Sequence, residues 1–230
     1  MLGIIAALSF ELEEILLHMK DVEQVELWDL VFYKGRLGGK DAVAIQCKVG
    51  KVNAARTTAA LLSRFPISAV INTGIAGALS AELNIGDIVI SSSFVQHDVD
   101  VTGFGNEPGC IPASGVGYVN ADEGLINAAA AAADDVLTKH KAIIGRIAKG
   151  DQFIENQGRK DDIISVFKAH CVEMETAAMA QVCQAAGIPI VGIRAMSDKA
   201  DGSAHASMEE FGIEAAKRAA QIVLQIASNF

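Results

Sequence analysis

Short unbroken apolar runs alternate along the chain with longer segments whose apolar residues recur every three or four positions. The first kind predicts buried strands and the second amphipathic helices. Strands are expected at residues 3–7, 69–73, 88–92, 142–148 and 189–196, with a brief one at Cys171 and Val172. A strand pair is expected at 27–34 and 42–48, flanking the glycine turn Gly38-Gly39. Helices are expected after Ser9, where Leu12, Ile15, Leu16 and Met19 share a face, and at 52–64, 121–140, 160–168, 176–186 and 207–227. Ser9 reads as the cap of the first helix, and Ser207 with Glu210 reads as a capping box for the last. Residues 98–120 follow neither period and hold two of the four prolines, which marks a long loop of the kind that carries function. With no repeat and no linker, this alternation predicts one domain over residues 1–230. Its expected fold class is a three-layer α/β/α arrangement around a central mixed, largely parallel sheet.

Composition narrows the class. At 51% hydrophobic residues over 230, the chain can bury a sizeable core and is not of the disordered type. Its 28 acidic and 19 basic residues leave a net charge of −9 with no Lys/Arg cluster, so no nucleic-acid partner is expected. No apolar run approaches the roughly 18 residues of a membrane span, so no membrane partner is expected either. The apolar start lacks a basic flank and runs into Glu11, Glu13 and Glu14, unlike a secretion signal. Cys47, Cys110, Cys171 and Cys183 show no metal-type spacing and read as small buried hydrophobes in a reducing compartment, which predicts a cytoplasmic protein.

Ligands of parallel sheets bind beyond the carboxyl ends of the strands. Those ends carry Ser9 and Glu11, then Gly74 and Gly77, which read as a strand-ending glycine turn, then Glu173, Met174 and Glu175, then Ser197 and Asp198. Three carboxylates, Glu11, Glu175 and Asp198, are thus brought toward one cleft. Each also has an ordinary explanation: Glu11 suits the first turn of a helix, and Asp198 suits a cap or turn. Glu173 and Glu175 lie in an apolar stretch, where at least one must face a partner or a cavity. His97-Asp98-Val99-Asp100 holds metal-capable side chains, but without a second cluster it reads as solvated loop, and no metal is expected. Asp151 reads as a turn residue, and His170 and His205 as surface residues.

With these residues in view, the chain resembles the 5′-methylthioadenosine/S-adenosylhomocysteine nucleosidases of the nucleoside phosphorylase superfamily. The resemblance runs end to end through GIIAALSFELEEI, VGKVNAA, INTGIAGAL, HDVDVTGFG, GDQFI, VEMET and RAMSDKAD, of which VEMET and RAMSD are the most specific. It implies a nucleoside phosphorylase-like fold and no cofactor. By this resemblance, Glu11 activates water and Asp198 protonates the leaving purine at N7. Met174 and Glu175 contact the ribose, Phe153 stacks on adenine, and the Ile154 backbone reads the base. Gly77, Ser197 and Arg194 belong to the substrate site, and Phe211 to its closing wall. Phe104 and Pro112 match loop residues that reach a neighbouring subunit's pocket, which implies a homodimer. Ala7-Leu8-Ser9-Phe10 departs from the Ala-Met pair and acidic run common in the family.

Breaking an N-ribosidic bond builds positive charge on the sugar and negative charge on the base. A neutral acid near N7 and a carboxylate that orients water answer those two demands. Phosphorylases of the superfamily carry a phosphate-binding arginine where this chain has Asn72. A phosphate without a cation is costly to enclose, so hydrolysis of 5′-methylthioadenosine and S-adenosylhomocysteine is the expected reaction, with 5′-deoxyadenosine as a further substrate. The alternatives are hydrolysis of 6-amino-6-deoxyfutalosine, a phosphate-dependent phosphorylase and, last, a non-catalytic nucleoside-binding module.

Overall fold

The computed structural model describes residues 1–112 and 117–229. Its strands are β1 (Leu2–Ala6), β2 (Lys20–Leu27), β3 (Leu30–Leu37), β4 (Lys40–Gln46), β5 (Ala69–Ala78), β6 (Ile88–Gln96), β7 (Tyr118–Asn120), β8 (Ala142–Lys149), β9 (Cys171–Glu173) and β10 (Ile190–Asp198). Its helices are α1 (Ser9–His18), α2 (Lys51–Arg64), α3 (Glu123–Val136), α4 (Gln157–Phe167), α5 (Thr176–Ala186) and α6 (Ala204–Asn229). β1, β5 and β10 are buried along their whole length, which is why their sequences show unbroken apolar runs rather than alternation. Helices α1, α3 and α6 share one hydrophobic core with the sheet, and α2 and α5 share another.

The sheet is mixed, as expected, but it closes on itself. Along one edge β5 pairs in parallel with β10. Along the other, residues 69–72 pair with β1, while Gly77 and Ala78 pair antiparallel with β9. From β10 the sheet continues through antiparallel β6 to parallel β8 and β9, and β9 returns to β5. Five strands therefore form a ring, and β1, β4, β3 and β2 extend outward from it. This corrects the plain three-layer expectation. Register shifts between Ser91 and Ser93 and between Met196 and Asp198 are the irregularities that let long strands bend.

Several local expectations change for identifiable reasons. β5 runs straight through Gly74 and Gly77, so these glycines are strand residues and not a turn. β2 is an additional strand at an exposed edge, where Lys20, Glu23 and Glu26 discourage further pairing and hide its strand signal. Ser9 lies inside α1, whose open N–H groups at Ala7 and Leu8 are taken instead by the Glu11 carboxylate, at 2.9 and 2.8 Å. Ser207 lies inside α6, which begins at Ala204 after Asp201 has bonded the Ser203 amide and hydroxyl at 2.9 and 2.6 Å. The loop expected at 98–120 holds a 3₁₀ turn, Thr102–Phe104, and β7; positions 113–116 of that loop lie outside the described residues.

Candidate active site

A cleft of about 250 Å³ opens at the carboxyl ends of β1, β5, β9 and β10. It lies where β5 changes partner from β1 to β9, because the two neighbours part there and leave the β5 edge uncovered. This is the sheet's topological switch point, the place where such folds bind ligands. Glu11, Gly77, Phe153, Met174, Glu175, Ser197 and Asp198 all line it, so seven of the residues expected in the site converge. Leu8, Val49, Ile75, Glu173 and Met208 complete much of the wall.

Glu11 is buried and fixed by three backbone donors. Its Oε1 accepts from Ile75 N–H at 2.9 Å, and its Oε2 accepts from Ala7 and Leu8. Burial raises its pKa above the ordinary carboxylate value, although Arg194 and the three amides pull the other way. Gly74 explains how this approach is possible. A Cβ there would stand 2.4 Å from Glu11 Oε1 and 2.5 Å from Arg194 Nη1. A Cβ at Gly77 would likewise stand 2.8 Å from Asp198 Oδ1. The two glycines therefore leave room for carboxylates at points three residues apart along β5, about 10 Å at strand rise.

Asp198 ends β10. Its Oδ1 accepts from Ala200 N–H at 2.8 Å, and its Oδ2 lies 2.8 Å from Ser197 Oγ. Burial raises its pKa, against the pull of Ala200 N–H and the Ser197 hydroxyl. A hydroxyl can donate or accept, so Asp198 can keep a proton without losing this partner. Glu11 meets three N–H donors, which hydrogen-bond its ionised form and work against the rise that burial causes. A recess of about 40 Å³ shares Gly77, Phe153, Met174 and Asp198 with the cleft and is also lined by Ile154.

Arg194 stands behind the wall. Its Nη2 pairs with Glu173 Oε2 at 2.6 Å, donates to Thr176 Oγ1 at 2.8 Å and to Asn72 Oδ1, and lies 4.0 Å from Glu175 Oε2. Burial opposes the guanidinium charge, but Glu173, Glu11 and Glu175 more than offset it and raise its pKa. Glu173 also accepts from the Glu175 and Thr176 amides at the start of α5. Both members of the Glu173/Glu175 pair are thus accounted for: both line the cavity, and Glu173 is the one paired closely with the arginine. Burial and the neighbouring Glu173 push Glu175 up to about 8, against the pull of Arg194 and of Gly50 N–H, which donates to Glu175 Oε1 at 2.8 Å.

Other expectations fall differently. Phe211 is 37% exposed and does not line the cleft; Met208, one helical turn earlier, does. Phe104 is 88% exposed, and Pro112 is exposed. His97 and Asp98 are not solvated loop: His97 is buried and takes Arg159 on Nδ1 at 3.2 Å, and Asp98 binds Lys51 Nζ at 2.7 Å. Burial, then Arg159, pushes His97 down to about 4. His170 is half-buried, its Nδ1 accepting from Arg146 N–H at 3.1 Å, whereas His205 is exposed. Cys47, Cys171 and Cys183 are buried and Cys110 is partly so. No helix among the described residues is long and apolar enough to cross a membrane, and none of their His, Cys, Asp and Glu groups is arranged to hold a metal. The wall residues Val49, Ile75 and Met208 were not anticipated, nor was the Gly50 amide. Glu173 was marked by its charge in an apolar run, though not as a residue of the wall.

A profile of the phosphorylase superfamily matches residues 1–228, and the chain belongs to that superfamily. A 5′-methylthioadenosine/S-adenosylhomocysteine nucleosidase from Geobacillus sp. (strain WCH70) is 41% identical over 229 residues, covering 99% of this chain and 98% of its own length. The crystal structure of such a nucleosidase from Neisseria meningitidis, in complex with methylthio-immucillin-A, matches with a TM-score of 0.96 at 37% identity, over 100% of this chain and 99% of that one. Within the superfamily, the chain belongs to the 5′-methylthioadenosine/S-adenosylhomocysteine nucleosidase family. The native structure of futalosine hydrolase from Helicobacter pylori strain 26695 is also similar, with a TM-score of 0.94 and 35% identity over 100% of this chain and 97% of that one.

Proposed function

We propose that the chain hydrolyses the N-ribosidic bond of 5′-methylthioadenosine and S-adenosylhomocysteine, and of 5′-deoxyadenosine, releasing adenine and the 5′-substituted ribose. The observation that carries the choice of water over phosphate is the charge of the cleft. Among the described residues four carboxylates line it (Glu11, Glu173, Glu175 and Asp198), and no Lys or Arg does. Arg194, the nearest cation, is committed to Glu173 at 2.6 Å and to Asn72. A phosphate dianion would meet repulsion without a partner there; a water molecule would not.

Adenine lies in the cleft at the mouth of the recess, stacked on Phe153 and read by the Ile154 backbone. Asp198, its proton held by burial, delivers it to N7 as the bond to the sugar breaks. Burial raises the pKa of Glu11, which makes it a stronger base toward water than an exposed carboxylate. Glu175 hydrogen-bonds the ribose hydroxyls, and the positive charge developing on the sugar favours its ionised form over the protonated form of the ligand-free cleft. Met174, beside it in the wall, packs on the same ring. The chain works in the cytoplasm as a homodimer. In support, Val49 lines the cleft while 42% exposed, and Phe104 and Val52 stand nearly free.

Adenine release from 5′-methylthioadenosine, followed by chromatography with and without phosphate, tests this reading. Adenine with free methylthioribose in phosphate-free buffer is the expected result; a requirement for phosphate would overturn it. Turnover of 6-amino-6-deoxyfutalosine alone would favour the second reading, to which the likeness to futalosine hydrolase lends weight. A monomeric mass in light scattering at micromolar concentration would remove the dimer.

A further inference from the structure

We propose that Asp151 is a positioning residue for Glu175, acting through the Gly50-Lys51 peptide; the inference rests on the nucleosidase reading above. Among the described residues, Gly50 N–H is the hydrogen-bond donor to the Glu175 carboxylate, at 2.8 Å. Gly50 sits at φ 96°, a conformation open to glycine and strained for other residues, so the direction of this amide depends on what anchors its neighbours. The next amide, Lys51 N–H, donates to Asp151 Oδ1 at 2.9 Å. Two successive N–H groups at the start of α2 are thus divided, one to the cleft and one to Asp151.

Asp151 is itself held from two sides. Lys149 Nζ, fully buried, donates to its Oδ1 at 2.9 Å, and its own N–H donates to Asp98 Oδ2 at 2.9 Å. Asp98 Oδ2 also receives Lys51 Nζ at 2.7 Å. Two lysines and two aspartates form two ion pairs joined through the Asp151 N–H, so the charges balance. An ammonium buried as Lys149 is would be costly without its anion, which fixes Asp151 in place. Asp98, Lys149 and Asp151 lie at the ends of β6 and β8, on the frame of the strand ring, and so tie the Gly50 amide to that frame. Gly150 N–H completes the tie by donating to Glu173 O at 3.1 Å, just before the Glu175 turn.

The experiment compares wild type, Asp151→Ala, Glu175→Gln and the double variant, measuring kcat and KM for 5′-methylthioadenosine and inhibition by adenine alone. Misplacing a group that orients the reacting sugar costs roughly tenfold to hundredfold. Asp151→Ala is expected to lower kcat/KM by that factor while adenine inhibition stays unchanged, because the base does not touch Glu175. The double variant is expected to be no slower than Glu175→Gln, since both changes disable one device. Additive losses, weakened adenine binding in step with kcat/KM, or wild-type rates in Asp151→Ala would each overturn the proposal. Should Asp151→Ala not fold, Lys51→Met, altering a side chain 31% exposed, carries the same test, with a smaller loss in the same direction expected. Wild-type rates in Glu175→Gln would overturn the role of Glu175 itself, and no adenine from wild type would overturn the nucleosidase reading; either takes this proposal with it.

Discussion

Replacing Glu175 by Gln should remove one proton-binding group from the cleft and leave its shape intact. Burial first, then the charge of Glu173, raises the Glu175 pKa from 4.5 to about 8. Unfolded, the same carboxyl titrates near 4.5. Between those values the folded chain keeps a proton that the unfolded chain has released, so stability falls as pH rises. The slope for one proton is about 1.4 kcal/mol per pH unit. This contribution is fully present below the unfolded value and is lost progressively up to about 8. Glutamine binds no proton, so Glu175→Gln lacks the slope. From pH 5.5 to 7.5 the variant is expected to gain roughly 2–3 kcal/mol on the wild type. Urea unfolding of the ligand-free proteins at pH 5.5, 6.5 and 7.5 measures it. Parallel pH dependences for the two proteins would refute the argument, because they would mean that Glu175 is ionised in the folded chain throughout. The variant should also be the less active of the two, a residue kept for function at the expense of stability.

Glu11→Gln and Asp198→Asn should each lower kcat by roughly two to four orders of magnitude, as loss of a general base or acid does, with unfolding midpoints near wild type; near-normal turnover in either would remove that residue from the chemistry. Gly74→Ala would drive a methyl group into the Glu11 and Arg194 side chains, so kcat should fall at least tenfold while circular dichroism remains that of a folded chain; full activity would show that Glu11 need not sit where it does. Phe153→Ala removes the face on which the base stacks, worth about 0.5–1.5 kcal/mol beyond area, and should weaken inhibition by adenine severalfold without changing the pH profile of kcat. With Asp198 in the proposed role of general acid, kcat should fall as pH rises through its raised pKa, and an alkaline limb unchanged in Asp198→Asn would assign that limb to another group.

How much of this was legible follows from where each signal lies. β1, β5 and β10 announced themselves because a strand buried on both faces is a local pattern, and the acids after them could be placed by position alone. Ring closure could not be read, since it depends on β9, three residues long, meeting the last two residues of β5. Nor could the partners of His97 and Asp98, which come from Arg159, Lys51 and Asp151, 47 to 62 residues away. Gly74 and Gly77 were legible as glycines and misread as a turn, because nothing local says that a carboxylate stands where a Cβ would be. These failures share a cause. A sequence shows which charges a fold carries but not how they are paired, and in this fold the pairing separates function from structure. Lys51, Lys149, Asp98 and Asp151 neutralise one another beside the cleft, and Arg194 is spent on Glu173 behind it. Among the described residues Glu11, Glu175 and Asp198 hydrogen-bond only to backbone amides and one hydroxyl, with Arg194 no nearer to Glu175 than 4.0 Å, and carboxyl groups so placed are open to a substrate because no cation is hydrogen-bonded to them.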